Sequence, residues 1–234
     1  MKNLIVFGLF VMAMVLVQFA QAQTADEIAD KYINALGGKD KLMALKSIKA
    51  QGNMNIQGAD VNITSTRLHM KGMRMDISVM GTENYQIITP EKGTMFMPIQ
   101  QMTEPTAMSD DQLKSGQLQL DVQSSLLNYK EKGTSIELLG TEKIDGADNY
   151  KMKLTFKNGL VTTYYIGTKD FRLNKTVGKR MMNGEETEIE TTFSNYKQNA
   201  DGYWFAYTTN SIQGEMNYDK IETNVAVDES IFKQ

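Results

Sequence analysis

The chain has no cysteine. A disulfide framework, a thiolate metal site and a cysteine nucleophile are therefore all excluded. It has a single histidine, His69, so no multi-histidine metal site can form and a Ser/His/Asp triad would have to be built on that one residue. The Gly-x-Ser-x-Gly signature of a serine nucleophile is absent as well. Basic clusters are equally scarce. The longest, Lys179-Arg180, is too small for the phosphate contacts of nucleic-acid binding. Beyond the first residues no apolar run approaches the roughly 20 residues of a membrane span. Only 3 prolines and 1 tryptophan occur in 234 residues, whereas methionine is abundant at 17.

The N-terminus reads as an export signal. Lys2 supplies the positive end, residues 4–17 form an uncharged apolar run, and Ala20-Gln21-Ala22 places small residues where a signal peptidase reads them. Cleavage is expected after Ala22, leaving residues 23–234 as one domain. Loss of Lys2 leaves 24 basic against 28 acidic side chains, a net of −4. No cysteine follows the cleavage site to carry a lipid. A mildly acidic, cysteine-free, exported chain fits the bacterial periplasm.

The mature chain opens with a helix over 24–36. Thr24 and Glu27 form a capping box, Ile28, Tyr32, Ile33 and Leu36 make an apolar stripe, and Gly37-Gly38 stops it. A short helical turn around 41–45 follows. From Ile48 the apolar period becomes two. Strands are predicted over 48–57, 60–70, 73–80, 84–89 and 94–99, and then over 135–144, 150–157, 160–166, 173–181, 187–196, 203–212 and 216–223. The turns between the later strands are Asp145-Gly146, Asn158-Gly159, Asn183-Gly184 and Asp201-Gly202, strong hairpin signals. This gives eleven or twelve antiparallel strands in one meander. Between the two runs, Ser109 and Gln112 form a second capping box, and Leu118, Val122 and Leu126 follow at helical spacing. That predicts a lid helix across the sheet.

Alternation sorts the early strands into an apolar and a polar face. Met54 with Ile56, Val61 with Ile63, Met73, Met75, Ile77 and Val79, and Met95 with Met97 fall on one side; Asn62, Thr64, Arg74, Asp76 and Ser78 fall on the other. Tyr164, Ile166, Phe193, Phe205 and Tyr207 complete the apolar set, and Trp204 points away from it. Nine methionines lie between Met54 and Met108. Methionine is flexible and polarisable, suited to surfaces that accept variable shapes. The expectation is an adaptable apolar cavity for acyl chains, where each buried methylene contributes roughly 0.8 kcal/mol. Such a site needs no catalytic group, metal or cofactor. Glu186, Glu188 and Glu190 share one face opposite Ile189 and Phe193, the pattern of a solvated outer surface, and His69 reads as a solvated residue at a strand end.

The segment Ala25-Asp26-Glu27-Ile28-Ala29-Asp30-Lys31-Tyr32, then Ala35-Leu36-Gly37-Gly38 and Ile48-Lys49-Ala50-Gln51-Gly52, resembles the opening of the outer-membrane lipoprotein-sorting, LolA-like proteins, especially their Bacteroidetes branch. Tyr164-Tyr165-Ile166 through Lys175, and the end from Ile221 to Phe232 with Asn224, Val227 and Asp228, share the resemblance. It implies a mainly β fold with α: an open half-barrel of about eleven antiparallel strands with helices covering the concave face. It also implies a non-enzymatic, monomeric periplasmic carrier of lipid or lipoprotein acyl chains, with inner- and outer-membrane transport partners. Carriers of the family hold the lid with a basic residue inside the cavity, for which Arg67 and Arg74 are the candidates here. Envelope sensors and outer-membrane assembly modules share the fold and form the second class of function.

Overall fold

The structure, a computed structural model, describes residues 23–56, 58–182 and 185–233. The proposed signal segment and the Asn183-Gly184 turn lie outside the described residues.

Helix α1 (Ala25–Ala35) starts at Thr24, whose hydroxyl accepts from the Glu27 amide while the Glu27 carboxylate accepts from the Thr24 amide. This is the capping box read from the sequence. Its stripe Ile28, Ala29, Tyr32 and Ile33 is buried. The short α2 (Lys39–Met43) buries Leu42. Thirteen strands follow: β1 (Ser47–Ile56), β2 (Ala59–Leu68), β3 (Gly72–Val79), β4 (Thr82–Ile88), β5 (Gly93–Phe96), β6 (Thr106–Ala107), β7 (Ser135–Ile144), β8 (Ala147–Thr155), β9 (Val161–Gly167), β10 (Leu173–Met182), β11 (Glu185–Gln198), β12 (Trp204–Ser211) and β13 (Gly214–Thr223). Helix α3 (Asp110–Gln117) lies between β6 and β7.

All thirteen strands form one antiparallel sheet, in the order β6-β5-β4-β3-β2-β1-β13-β12-β11-β10-β9-β8-β7. This is not the single sequential meander expected. Two meanders, β1 to β6 and β7 to β13, meet where the first strand pairs with the last. The seam runs from Ile48 opposite Thr223 to Met54 opposite Met216, with a register shift at Gln51/Gly52. The chain must therefore cross from one outer edge, β6, to the other, β7, and residues 108–134 form the strap that does so.

The strap shows how strongly the sheet is curved. Within α3 the side-chain amide of Gln117 donates to the Pro90 carbonyl (2.7 Å), while Asn158 donates to the Lys114 carbonyl (3.1 Å). Pro90 follows β4 and Asn158 precedes β9, eight strands along the sheet. A flat sheet would separate them by about 38 Å at ~4.8 Å per strand. Eight helical residues span only about 12 Å. The sheet is thus an open half-barrel, and α3 lies across it like a chord.

The predicted lid helix through Leu118, Val122 and Leu126 is corrected by the structure. The α-helix ends at Gln117, a 3-10 turn covers Leu118–Leu120, and turns follow. Polar side chains break it by bonding the backbone locally: Asp121 accepts from the Gln123 amide and Ser124 from the Leu126 amide, the competition that removes short polar residues from helix interiors. Ser124 and Asn128 also adopt left-handed backbone, at φ 97° and 50°. The three residues nevertheless reach the sheet. Val122 and Leu126 are buried in the main core with Ile28, Tyr32, Ile48, Met152, Leu154 and Ile166, and Leu118 packs against it.

Candidate functional site

Strand register assigns each side chain to a face. Ile48 pairs with Arg67, Arg67 with Met73 and Met73 with Ile88, so these four share the concave face. Alternation then adds Ala50, Gly52 and Met54, Val61, Ile63 and Ser65, and Met75, Ile77 and Val79. On the other meander Tyr164 pairs with Met152 and Thr176, and Ile166 with Tyr150. The early-strand apolar set read from alternation thus does fall on the concave side.

The set divides by burial. Met73 is sealed beneath the strap with Ile88 and Leu120. Ile166 is wholly enclosed in the main core, and Val61 and Met97 are also buried. Met54, Ile63, Met75, Ile77, Val79 and Met95 remain half-buried, as do Tyr164, Phe193, Phe205 and Tyr207, the last four packed against the margin of the core. Ile56 alone stands out at 41% exposure, at the tip of the β1–β2 hairpin. The floor between these walls is lined with small residues at the seam: Ala50, Gly52 and Ser65. At Gly52 a Cβ would stand 2.2 Å from the Asn217 carbonyl oxygen. Large apolar walls over a small-residue floor make a groove along the concave face. One half lies under α1 and the strap, and the other is partly open.

The strap that roofs this groove is tied down on several sides. The Met70 amide donates to the Leu120 carbonyl (2.9 Å), and the Gln123 side chain donates to the carbonyls of Met43 (3.0 Å) and Leu45 (3.1 Å). Burial pushes the phenols of Tyr32 on α1 and Tyr164 on β9 above their ordinary range, against an opposing pull from Ser124 and Ser125 of the strap. Tyr129 and Lys130 both bond Asp26 of α1. Beside the strap opens a cavity of about 670 Å³, whose walls include Met70, Leu118, Leu120 and Phe156 together with the paired Asp121 and Lys132 (2.6 Å). Of the expected site residues only Leu118 borders it. The sequence carries no signal for it, because its walls come from turns and from the strap.

The two arginine candidates separate cleanly. Arg74 lies on the outer face, paired with Asp76 (2.7 Å) and stacked on Tyr85 (4.9 Å). Arg67 lies on the concave face. Its Nε is buried without an acceptor, no ion pair or hydrogen bond joins it to any described residue, and burial lowers its guanidinium pKa. Neither arginine bonds the strap, so the lid-holding role implied by the resemblance falls to other residues. Arg180, also concave, is satisfied by the Thr162 hydroxyl (2.9 Å) and the Lys179 carbonyl (2.8 Å).

His69 is not the solvated residue expected. It sits under the strap, with Nδ1 buried and lacking a hydrogen bond, 3.7 Å from the Asp121 carboxylate. Burial lowers its pKa, against an opposing pull from Asp121 and with a further push from Lys132. The outer face has the charged character read from the sequence. Lys175 pairs with Glu190 (3.1 Å), Lys179 with Glu186 (2.7 Å) and Lys151 with Glu142 (2.8 Å), and Tyr165 lies between Lys151 and Lys175. Trp204 is covered by the Arg172 guanidinium at 4.0 Å from its ring.

The sequence matches no protein-family model and no curated protein. Solved structures are similar in fold. A DUF1329 family protein from Desulfovibrio piger aligns at 13% identity with a TM-score of 0.58, covering 91% of this chain and 98% of its own. A LolA superfamily protein from Nitrosomonas europaea aligns at 14% and 0.56, covering 91% and 99%. A putative outer membrane lipoprotein-sorting protein domain from Vibrio parahaemolyticus aligns at 18% and 0.52, covering 89% and 95%. A single open antiparallel sheet, two meanders joined first strand to last and a strap across the concavity together give this chain the LolA-like half-barrel fold.

Proposed function

We propose that this protein is an exported, periplasmic carrier that binds lipid or lipoprotein acyl chains along its concave face and passes them toward the outer membrane without chemistry. The carrying observation is the half-buried apolar lining (Met54, Ile63, Met75, Ile77, Val79, Phe193, Phe205 and Tyr207) that faces inward while the opposite face of the same sheet is laced with ion pairs. The lining is contiguous across neighbouring strands, and a contiguous accessible apolar patch is the mark of a binding surface. Six buried methylenes at roughly 0.8 kcal/mol each already offer about 5 kcal/mol of gross affinity without a directional contact. Methionines at Met54, Met75 and Met95 let the lining repack around chains of different length. The likeness to a lipoprotein-sorting domain supports the reading through the fold. In this reading the export signal is cleaved after Ala22, and the remaining domain over 23–234 works in the periplasm as a monomer, with donor and acceptor partners in the two membranes. Lipid extraction and mass spectrometry of protein purified without detergent tests this. Stoichiometric acyl lipid is expected. Empty protein that also fails to take up a fluorescent fatty acid would refute it.

A second reading, a protein-binding module of the same fold serving as envelope sensor or assembly factor, is favoured by one observation. Met80, Ile56, Ile212 and Met181 lie at or beside the turns of four neighbouring hairpins, and each is more than 40% exposed. These apolar turns sit together at one end of the strands, a place where a partner would dock.

A further inference from the structure

We propose that Arg67 is a binding site for the anionic group of an amphiphile, so that the cargo is an acyl chain bearing a carboxylate or phosphate rather than a neutral lipid. This rests on the carrier reading and specifies its ligand.

A guanidinium is expensive to hold in a low-dielectric interior unless its charge is compensated and its donors are used. Other cations on this sheet meet that requirement: Lys175 and Lys179 have glutamates, Arg74 has Asp76, Arg172 covers Trp204 and Tyr196, and Arg180 is bonded on two sides. Arg67 has no such partner. It stands between Ile48 and Met73 across the strands and two residues from Ser65 along its own, and its Nε is orphaned. The Tyr218 phenol, on the concave side opposite Gly52, pulls the Arg67 pKa back up against the effect of burial. Asp121 of the strap is already held by Lys132 and faces His69.

The placement matches an amphiphile. Arg67 lies at the end of β2 where the groove runs under the strap, and the half-buried lining of Met75, Ile63, Ile77, Val79 and Met54 extends from it toward the β1–β2 and β3–β4 turns. Ala50 and Ser65 are its small neighbours on the same face, and Arg67 is half-buried rather than sealed. A planar fork is the side chain best matched to a carboxylate or phosphate, which it binds through two parallel hydrogen bonds. A ligand entering head-first would place its anion on Arg67 and its chain along the lining.

The test compares three single-chain ligands, palmitate, lysophosphatidylglycerol and hexadecanol, by calorimetric titration or probe displacement. The proteins are the wild-type mature chain, Arg67→Met and Arg67→Lys. Wild type is expected to bind at least one anion about ten-fold or more tighter than hexadecanol. The tighter of the two anions distinguishes a fatty-acid carboxylate from a phospholipid phosphate. Arg67→Met is expected to lose that preference, keep its affinity for hexadecanol and melt no lower than wild type, since it removes an uncompensated, half-buried charge. Arg67→Lys is expected to retain part of the preference. Equal binding of all three ligands by wild type, or an unchanged preference in Arg67→Met, would overturn the anion site and leave the carrier reading standing. Binding of none of them would overturn both.

Discussion

Replacing Gly52 with alanine probes the seam on which the whole concave face depends. Two opposing effects are predicted at that position. Alanine lowers the entropy of the unfolded chain and stabilises by about 0.4–1 kcal/mol where the backbone accepts it. Gly52 has no left-handed φ, so nothing in the backbone forbids the exchange. The new Cβ, however, would lie 2.2 Å from the Asn217 carbonyl oxygen and 2.8 Å from the Tyr218 Cα. Ordinary contact needs roughly 3.4 Å, so β1 and β13 must part by about 1 Å, and both atoms belong to backbone that is held in the ladder. Overpacking of this kind costs about 1–3 kcal/mol and outweighs the entropy gain. For a domain of this size the melting temperature should fall by about 2–10 °C, read by circular dichroism with urea titration as a check. Gly93→Ala serves as the comparison. Its Cβ would meet the Met108 Sδ at 2.7 Å, the end of a half-buried, flexible side chain that can rotate away, so its effect should be much smaller. A Gly52→Ala protein as stable as wild type would refute the close seam between the two meanders.

Three further outcomes follow from the packing. His69 has a pKa lowered by burial, so its neutral form is the one that folding favours. Its contribution is complete above the ordinary histidine pKa and is lost as pH falls below about 6.5; thermal melts between pH 7.5 and 5 should show a decline that His69→Gln flattens. Ile166, wholly enclosed, should cost about 2–5 kcal/mol when cut to alanine, measured by urea unfolding. Ile77→Asp, on the half-buried lining, should leave the protein folded but weaken fatty-acid probe binding by about ten-fold or more, because the acyl chain would then lie against an uncompensated carboxylate.

Much of the architecture was legible because local rules and the fold agree. The Thr24 capping box appears as read, and Asp145-Gly146 turns with both residues at positive φ, 49° and 81°, the backbone that a two-residue hairpin requires. Period two placed Met75, Ile77 and Val79 on the same side as Ile63 and Met54. What was missed is non-local or fine-grained. Pairing of β1 with β13 joins residues some 170 positions apart, and no periodicity encodes which ends of two meanders meet. The two-residue β6 is too short to alternate. The strap was misread because Leu118, Val122 and Leu126 satisfy helical spacing, whereas Asp121 and Ser124 spend their side chains on local backbone amides. The isolation of Arg67 could not be seen either. Alternation puts it inward, but only the packing around it shows that no acid follows.

Acyl chains are expected to lie along the half-open lining of the concave face. Photo-crosslinking with a diazirine-bearing fatty acid, followed by peptide mapping, measures it directly. Modification is expected at lining residues on β1 to β4 and β11 to β12, among them Met54, Ile63, Ile77, Phe193 and Tyr207, suppressed by excess palmitate. Modification confined to the charged outer face, or to the cavity beside the strap around Met70 and Phe156, would contradict it.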